Sequence, residues 1–119
     1  MIKGIGTDLV KQSRVESIYK KYNKRFLSKI LSKRELSNFY KEKSERVKLN
    51  FICSSFAAKE AYVKALGTGF RGIYPNQLTY HKDSFGKPTL EYECSVNYNI
   101  HLSISNTDGY TLSFIVLEE

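Results

Sequence analysis

The stretch FAAKEAYVKALGTG, residues 56–69, closes the longest helical pattern in the chain. Apolar residues recur at helical spacing over residues 46–66, which predicts one long central helix with a broad buried face. The apolar positions of this pattern are Val47, Phe51, Ile52, Phe56, Ala58, Tyr62, Val63 and Leu66. Glycines directly after such a pattern are typical of a helix stop, so we expect the helix to end at Gly67-Thr68-Gly69.

The segment before this helix predicts a strand followed by two shorter helices. Residues 2–10 alternate in the manner of a strand, which would place Asp8 on the same face as two glycines. Two Ser-x-x-Glu sequences, Ser13 to Glu16 and Ser32 to Glu35, have the pattern of capping boxes and predict helix starts. In the second of these helices we expect a buried stripe made of Leu36, Phe39 and Tyr40.

After the helix stop the apolar pattern changes to period two. It predicts strands at residues 77–80, 89–93, 99–105 and 110–117. The last two would form a hairpin around Asn106-Thr107-Asp108-Gly109. We expect this hairpin to place Ile100, Leu102 and Ile104 on the same face as Leu112, Phe114 and Val116. An N-terminal strand, then helices, then an antiparallel sheet with a C-terminal hairpin define the α+β class.

Length and composition indicate one globular domain that spans residues 1–119. The chain has 119 residues, of which 41% are hydrophobic and 26% charged, and these values exclude a disordered or fibrous protein. Cys53 and Cys94 lie far apart without a CxxC spacing, so we expect reduced core cysteines rather than a zinc site or a disulfide framework. No apolar run approaches the roughly 18 residues of a membrane span, and the N-terminus lacks the pattern of a signal peptide. A cytoplasmic protein without a membrane segment is therefore expected.

Two acidic residues, Asp8 and Glu60, occupy positions at which a carboxylate is unusual. Asp8 ends the first predicted strand between glycines that would leave room for a metal and a phosphate, and Glu60 lies in an Ala-rich helical stretch where a carboxylate is otherwise costly. Together they would supply the one or two carboxylates that a hard cation prefers. In the simpler alternatives, Asp8 is a turn or helix-entry residue. Glu60 would then only pair with Lys64, one helical turn away, for about 0.3–0.5 kcal/mol.

Three segments resemble the holo-acyl-carrier-protein synthase family of the 4′-phosphopantetheinyl transferases: GIGTDLV (4–10), FAAKEAYVKALGTG (56–69) and HLSISN (101–106). The stretches RFLSKILSKRE (25–35) and GKP (86–88) are also similar, so the resemblance covers nearly the whole chain. It implies the phosphopantetheinyl transferase fold and an Mg²⁺-dependent enzyme of fatty acid biosynthesis. The implied reaction moves 4′-phosphopantetheine from coenzyme A to a serine of an apo-acyl-carrier protein and releases adenosine 3′,5′-bisphosphate. The resemblance and the short chain also imply a homotrimer with active sites between subunits.

The resemblance also implies roles for individual residues. Asp8 and Glu60 would be the Mg²⁺ ligands, and Glu60 and Lys64 the catalytic residues. Coenzyme A would be bound by Lys64, Gly67, Thr68 and Gly69, and the acidic helix of the carrier protein by Arg14 and Arg25. The group that deprotonates the carrier serine is left open between Glu60 and a water on the metal.

The chain departs from the family pattern at two positions. Ser55 replaces an arginine that is common before the FAAKEA stretch, and Asn106 replaces a histidine that often follows SIS. Both positions resemble ones near the adenosine 3′-phosphate. We therefore expect other basic residues to hold that phosphate here.

The charge balance leaves a second class of function open. Lys and Arg number 19 against 12 Asp and Glu, a net charge of +7, and such a surface prefers polyanions. A small basic nucleic-acid-binding module is the alternative, and tight RNA binding that is steeply salt-dependent but indifferent to Mg²⁺ and coenzyme A would favour it. Against it, the basic residues are not interleaved with aromatics along a strand, and no nucleic-acid motif is present. A purely structural subunit is a third reading, and the presence of both Asp8 and Glu60 argues against it.

Overall fold

The computed structural model describes residues 1–92 and 98–119. In chain order the elements are β1 (Ile2–Lys11), α1 (Gln12–Tyr22), α2 (Lys24–Ile30), α3 (Lys33–Lys41), α4 (Glu45–Leu66), a 3₁₀ turn (Pro75–Gln77), β2 (Leu78–Lys82), β3 (Pro88–Tyr92), β4 (Asn99–Thr107) and β5 (Tyr110–Glu118). This order confirms the predicted α+β class. The predicted end of the third strand at Glu93, and Cys94, lie outside the described residues.

The long helix α4 was predicted closely. It begins after Ser44, whose Oγ accepts a hydrogen bond from the N–H of Val47, and it runs for 22 residues. It ends at Gly67, which has the left-handed conformation at φ 79° that favours glycine. Core residues pack along this helix in two clusters, one against the sheets and one against α1, α2 and α3.

The strands form two antiparallel sheets. One contains β1, β5 and β4 in that order, so that the N-terminal strand pairs with the C-terminal one, and the other contains β2 and β3. The predicted hairpin between β4 and β5 is confirmed. Its two turn residues, Asp108 and Gly109, have φ 48° and 78°, as a tight type I′ turn requires.

The predicted face of β5 is wrong. Directly paired residues share a face, and Leu102 pairs with Ile115 while Ile100 pairs with Leu117. The buried face of β5 therefore carries Ile115 and Leu117, whereas Leu112 and Phe114 lie on the opposite, exposed face. Both faces of this strand are partly apolar, so hydrophobic alternation alone could not fix which face packs on the core.

The structure treats the two predicted capping boxes differently. Ser32 and Glu35 form the predicted reciprocal bonds at the start of α3. The box at Ser13 to Glu16 is absent because α1 begins at Gln12, directly after the last residue of β1, with Lys11 in the cap position. The expected stripe on α3 is also only partly buried, since Phe39 is in the core but Tyr40 is exposed. Helix α2 was not predicted as a separate element.

Cys53 is a free, fully buried cysteine, as expected for a reduced core residue. Burial, with a smaller contribution from Glu16, raises the pKa of its thiol to about 11. This cysteine is therefore protonated and unreactive at neutral pH. Within the described parts of the chain, no helix has the length and apolar character needed to cross a bilayer.

Candidate active site

Two glycines bring β1 into direct contact with α4. A Cβ atom on Gly6 would lie 1.9 Å from the carbonyl oxygen of Ala61, and one on Gly4 would lie 2.0 Å from that of Ala65. No side chain fits at either position. The expectation that these glycines leave room for a metal and a phosphate is wrong, because the space is filled by the helix backbone. Their effect is to hold the strand that carries Asp8 against the helix that carries Glu60.

Asp8 lies inside β1 rather than at its end, since the strand continues to Lys11. It pairs with Ser113 of β5, which excludes the turn and helix-entry alternatives. Its side chain is 14% exposed. The ammonium group of Lys64 donates to Asp8 Oδ1 at 3.0 Å and to the carbonyl oxygen of Thr7 at 3.1 Å. Lys64 thus bridges from α4 to the strand.

Glu60 is partly buried beside Asp8. Burial raises the pKa of its carboxyl, the negative charge of Asp8 raises this pKa further, and Lys64 acts in the opposite direction. Ionised Glu60 therefore carries a free-energy cost that a nearby cation would reduce. In the structure Lys64 forms its ion pair with Asp8, whereas the sequence suggested a pair between Lys64 and Glu60.

The donor set fits Mg²⁺. This ion is usually held by one or two carboxylates and completes its shell with water and substrate phosphates. Asp8 and Glu60 provide two hard carboxylate donors, and Asp8 is close enough to Glu60 for its charge to raise the Glu60 pKa. Within residues 1–92 and 98–119, no group of three His, Cys, Asp or Glu side chains forms an all-protein cage. Two carboxylates with an adjacent lysine suit a divalent cation that is shared with a phosphate substrate.

The segment after α4 is exposed and open. Gly67 N–H bonds to the carbonyl of Lys64 at 3.0 Å, and the N–H groups of Thr68 and Gly69 bond to the carbonyl of Val63 at 3.2 and 3.3 Å. These three amides cap the helix and are not free to hold a phosphate. Nothing lies within 4 Å of the Cβ positions of Gly67 and Gly69. Their positive φ angles of 79° and 60°, not crowding, favour glycine there.

The two positions that depart from the family pattern have different environments. Ser55 is fully buried, and its hydroxyl donates to Glu35 Oε2 at 2.5 Å, so it faces the protein interior. Asn106 is exposed at the end of β4 and accepts a hydrogen bond from Thr111 Oγ1 at 2.5 Å. It lines a cavity of about 440 Å³ together with Lys82 and Tyr80. Lys82 is a cation that the sequence motifs did not assign to the site.

Arg25 and Arg14 lie on the helical layer. Arg14 is exposed on α1, and Arg25 lines a cavity between α1 and α2. That cavity has a volume of about 370 Å³ and is also lined by Ile18, Tyr22, Phe26 and Lys29. The lining of this cavity is therefore partly apolar and partly basic. The helical spacing of Phe26 and Ile30 is the feature of the sequence that indicates α2.

The outer face of the three-stranded sheet is apolar and exposed. Ile5 and Leu9 of β1 are 62% and 63% exposed, and Leu112 and Phe114 of β5 are 43% and 44% exposed. Leu9 pairs directly with Leu112, so these side chains form one continuous surface. Exposed apolar patches are typical of surfaces that contact another protein.

Comparison with known proteins identifies the family. The family model of the 4′-phosphopantetheinyl transferase superfamily matches residues 4–115. The chain is 41% identical over 121 residues to the holo-(acyl-carrier-protein) synthase of Wolbachia pipientis subsp. Culex pipiens (strain wPip), covering 98% of each chain. It is 39% identical over 120 residues to that of Staphylococcus aureus (strain Newman), covering 100% of this chain and 98% of the relative. The chain therefore belongs to the holo-(acyl-carrier-protein) synthases of the 4′-phosphopantetheinyl transferase superfamily.

Solved structures agree with this assignment. The holo-(acyl-carrier-protein) synthase of Bacillus anthracis str. Ames, in complex with CoA (3′,5′-ADP), matches with a TM-score of 0.88 and 35% identity over 99% of this chain and 97% of that one. The enzyme of Neisseria meningitidis matches with a TM-score of 0.88 and 34% identity over the full length of both chains. The Helicobacter pylori enzyme, in complex with coenzyme A, matches with a TM-score of 0.82 and 26% identity over 96% of this chain and 99% of that one. The phosphopantetheinyl transferase fold is confirmed.

Proposed function

We propose that this chain transfers the 4′-phosphopantetheine group of coenzyme A to a serine of an apo-acyl-carrier protein, in an Mg²⁺-dependent reaction of fatty acid biosynthesis in the cytoplasm. The observation that carries the proposal is the meeting of Asp8, Glu60 and Lys64 at the contact between β1 and α4. Membership of the holo-(acyl-carrier-protein) synthase family supports phosphopantetheine transfer as the reaction at this site.

The reaction is a phosphoryl transfer that makes one bond and breaks one. The serine Oγ forms a bond to the β-phosphorus of coenzyme A, and the bond from this phosphorus to the bridging oxygen breaks. The products are the holo-carrier protein and adenosine 3′,5′-bisphosphate, and the serine proton must pass to a base. When bound, Mg²⁺ would neutralise charge on the pyrophosphate oxygens and orient them.

Three side chains of this site have separate tasks. Asp8 and Glu60 would hold the cation, Asp8 from a strand that cannot shift because β5 and α4 enclose it. Lys64, half exposed and one turn beyond Glu60, would pair with the pyrophosphate as a flexible point charge. Glu60 and a water molecule are both candidate bases for the serine proton.

The cavity beside Asn106 is our proposed site for the adenosine end of coenzyme A. Lys82 would hold the 3′-phosphate there, and Asn106 would donate a hydrogen bond, since its Oδ1 is already bonded to Thr111. Ser55 has no part in this contact because its hydroxyl is directed to Glu35 in the core. The exposed Gly67-Thr68-Gly69 segment next to Lys64 would border the pantetheine arm.

The carrier protein would dock on α1 and α2. Arg14 and Arg25 would attract its acidic helix, and the cavity lined by Ile18 and Phe26 would receive an apolar side chain. Charge complementarity of this kind mainly raises the association rate. The exposed apolar face of Ile5, Leu9, Leu112 and Phe114 supports a homotrimer, since an apolar sheet face would be covered by neighbouring subunits.

The test is conversion of a purified apo-acyl-carrier protein in the presence of coenzyme A and Mg²⁺. Intact mass spectrometry should show a gain equal to the phosphopantetheine group. Asp8→Asn and Glu60→Gln, which remove charge but keep size, should each lower kcat by about 100-fold or more without unfolding the protein. Glu45→Gln on the same helix, at an exposed position, serves as the matched control. Near-normal turnover of either site variant at ordinary Mg²⁺ would overturn the assignment.

A further inference from the structure

Lys59, the residue before Glu60, is a buried lysine with no part in the proposed chemistry. It is completely inaccessible to solvent. Its Nζ donates to Glu35 Oε1 at 2.5 Å and to the carbonyl oxygen of Ile30 at 2.7 Å. One ammonium group thus joins α4 to the last residue of α2 and to the first turn of α3.

A buried ion pair needs compensation, because removing two charges from water costs several kcal/mol per ion. Burial lowers the pKa of Lys59, whereas the charge of Glu35 raises it. Glu35 accepts two further hydrogen bonds, from the N–H of Ser32 at 2.9 Å and from the hydroxyl of Ser55 at 2.5 Å. Both carboxylate oxygens and the ammonium group of this pair therefore have partners.

Helix ends add to this compensation. Ile30 closes α2, where the helix dipole is negative, and Glu35 lies in the first turn of α3, where it is positive. A cation at the first position and a carboxylate at the second are both favourable. The pair fits this one junction, and a different placement of α2 relative to α3 would leave two charges buried without compensation.

Helix α2 depends on such an anchor. It has only seven residues, and its N-cap residue Asn23 makes no side-chain capping bond. Helices this short are not stable by themselves, so tertiary contacts must set their position. The same helix carries Arg25 and Lys29 on the rim of the proposed docking cavity.

We propose that Lys59, through its ion pair with Glu35 and its bond to Ile30, is a positioning residue for the carrier protein: it fixes the docking helix α2 on the helix that carries Glu60. This inference rests on the proposed docking face. In this proposal, Lys59 holds α2 so that the serine of the docked carrier protein lies at a fixed distance from Asp8 and Glu60.

The test uses Lys59→Met combined with Glu35→Gln. The double variant leaves no unpaired buried charge, and the amide oxygen introduced at position 35 can still accept the bond from Ser32, so the protein should fold. We expect the KM for the carrier protein to rise about tenfold, equivalent to about 1.4 kcal/mol, with the KM for coenzyme A within about twofold of its original value. Hydrogen exchange at the amides of α2 should become faster. Glu91→Gln, which removes the exposed ion pair with Arg34 of α3, is the control and should change neither.

Three readouts separate the possible failures. Faster exchange in α2 with an unchanged carrier KM, while Arg25→Glu still raises that KM, would overturn the positioning role but keep the docking face. If Arg25→Glu also leaves the carrier KM unchanged, the docking face itself is wrong, and the inference fails with it. Equal rises in both KM values would show general loosening of the core and would also overturn the proposal.

Discussion

Replacing Gly6 with alanine tests how the site is assembled. The added Cβ would lie 1.9 Å from the carbonyl oxygen of Ala61, whereas ordinary contact begins at 3.4 Å, so strand and helix must separate by about 1.5 Å. Neither backbone can yield easily, because β1 is hydrogen-bonded to β5 and Ala61 is inside α4. Overpacking costs about 1–3 kcal/mol, and a clash with backbone belongs at the upper end. At about 3–5 °C per kcal/mol for a chain of this size, Tm should fall by about 10 °C.

The assay combines thermal unfolding with turnover measured well below the lowered Tm. Asp8 follows two residues after Gly6, so its carboxylate should move away from Glu60, and more Mg²⁺ should be needed for half-maximal rate. Gly72→Ala is the control, since nothing lies within 4 Å of its Cβ position and only its φ of 79° opposes a side chain. That strain costs about 1–2 kcal/mol. A Gly6→Ala protein with the original Tm and Mg²⁺ dependence would refute the account of the strand-helix contact.

Three further outcomes follow from the site and its surfaces. The pKa of Glu60 is higher in the folded protein than in the unfolded chain. At pH values between the ordinary carboxyl pKa and the raised one, the folded protein therefore binds more protons than the unfolded chain. Its stability accordingly falls as the pH rises through that interval. Glu60→Gln should remove this fall and raise Tm near neutral pH in EDTA, and an equal or lower Tm would contradict it. Charge reversal of Arg14 and Arg25 should raise the KM for the carrier protein and flatten the salt dependence of this KM. Coenzyme A binding should be nearly unchanged. An unaltered KM for the carrier protein would reject the docking face. Leu112→Glu with Phe114→Glu should give an inactive monomer by light scattering, whereas a fully active wild-type monomer would rule out shared active sites.

The sequence by itself determined the features that depend on neighbouring residues. The helical spacing and glycine stop of α4, the capping box of Ser32 and Glu35, and the turn at Asp108-Gly109 were all predicted and are all present. Each is stabilised by hydrogen bonds or backbone angles within a few residues, so the local pattern carries the information. The motifs also selected Asp8 and Glu60 as a pair, although 52 positions separate them.

Only the tertiary structure decided what lies between distant segments. Hydrophobic alternation could not choose the buried face of β5, because that choice depends on its register with β1 and β4. Gly4 and Gly6 of β1 allow the strand to pack directly against α4. Lys64 forms its ion pair with Asp8 of β1 and not with Glu60 of its own helix. The buried pair of Lys59 and Glu35 likewise joins residues 24 positions apart. These contacts join residues that are far apart in the sequence and are set by tertiary packing. A pattern of neighbouring residues therefore cannot predict them.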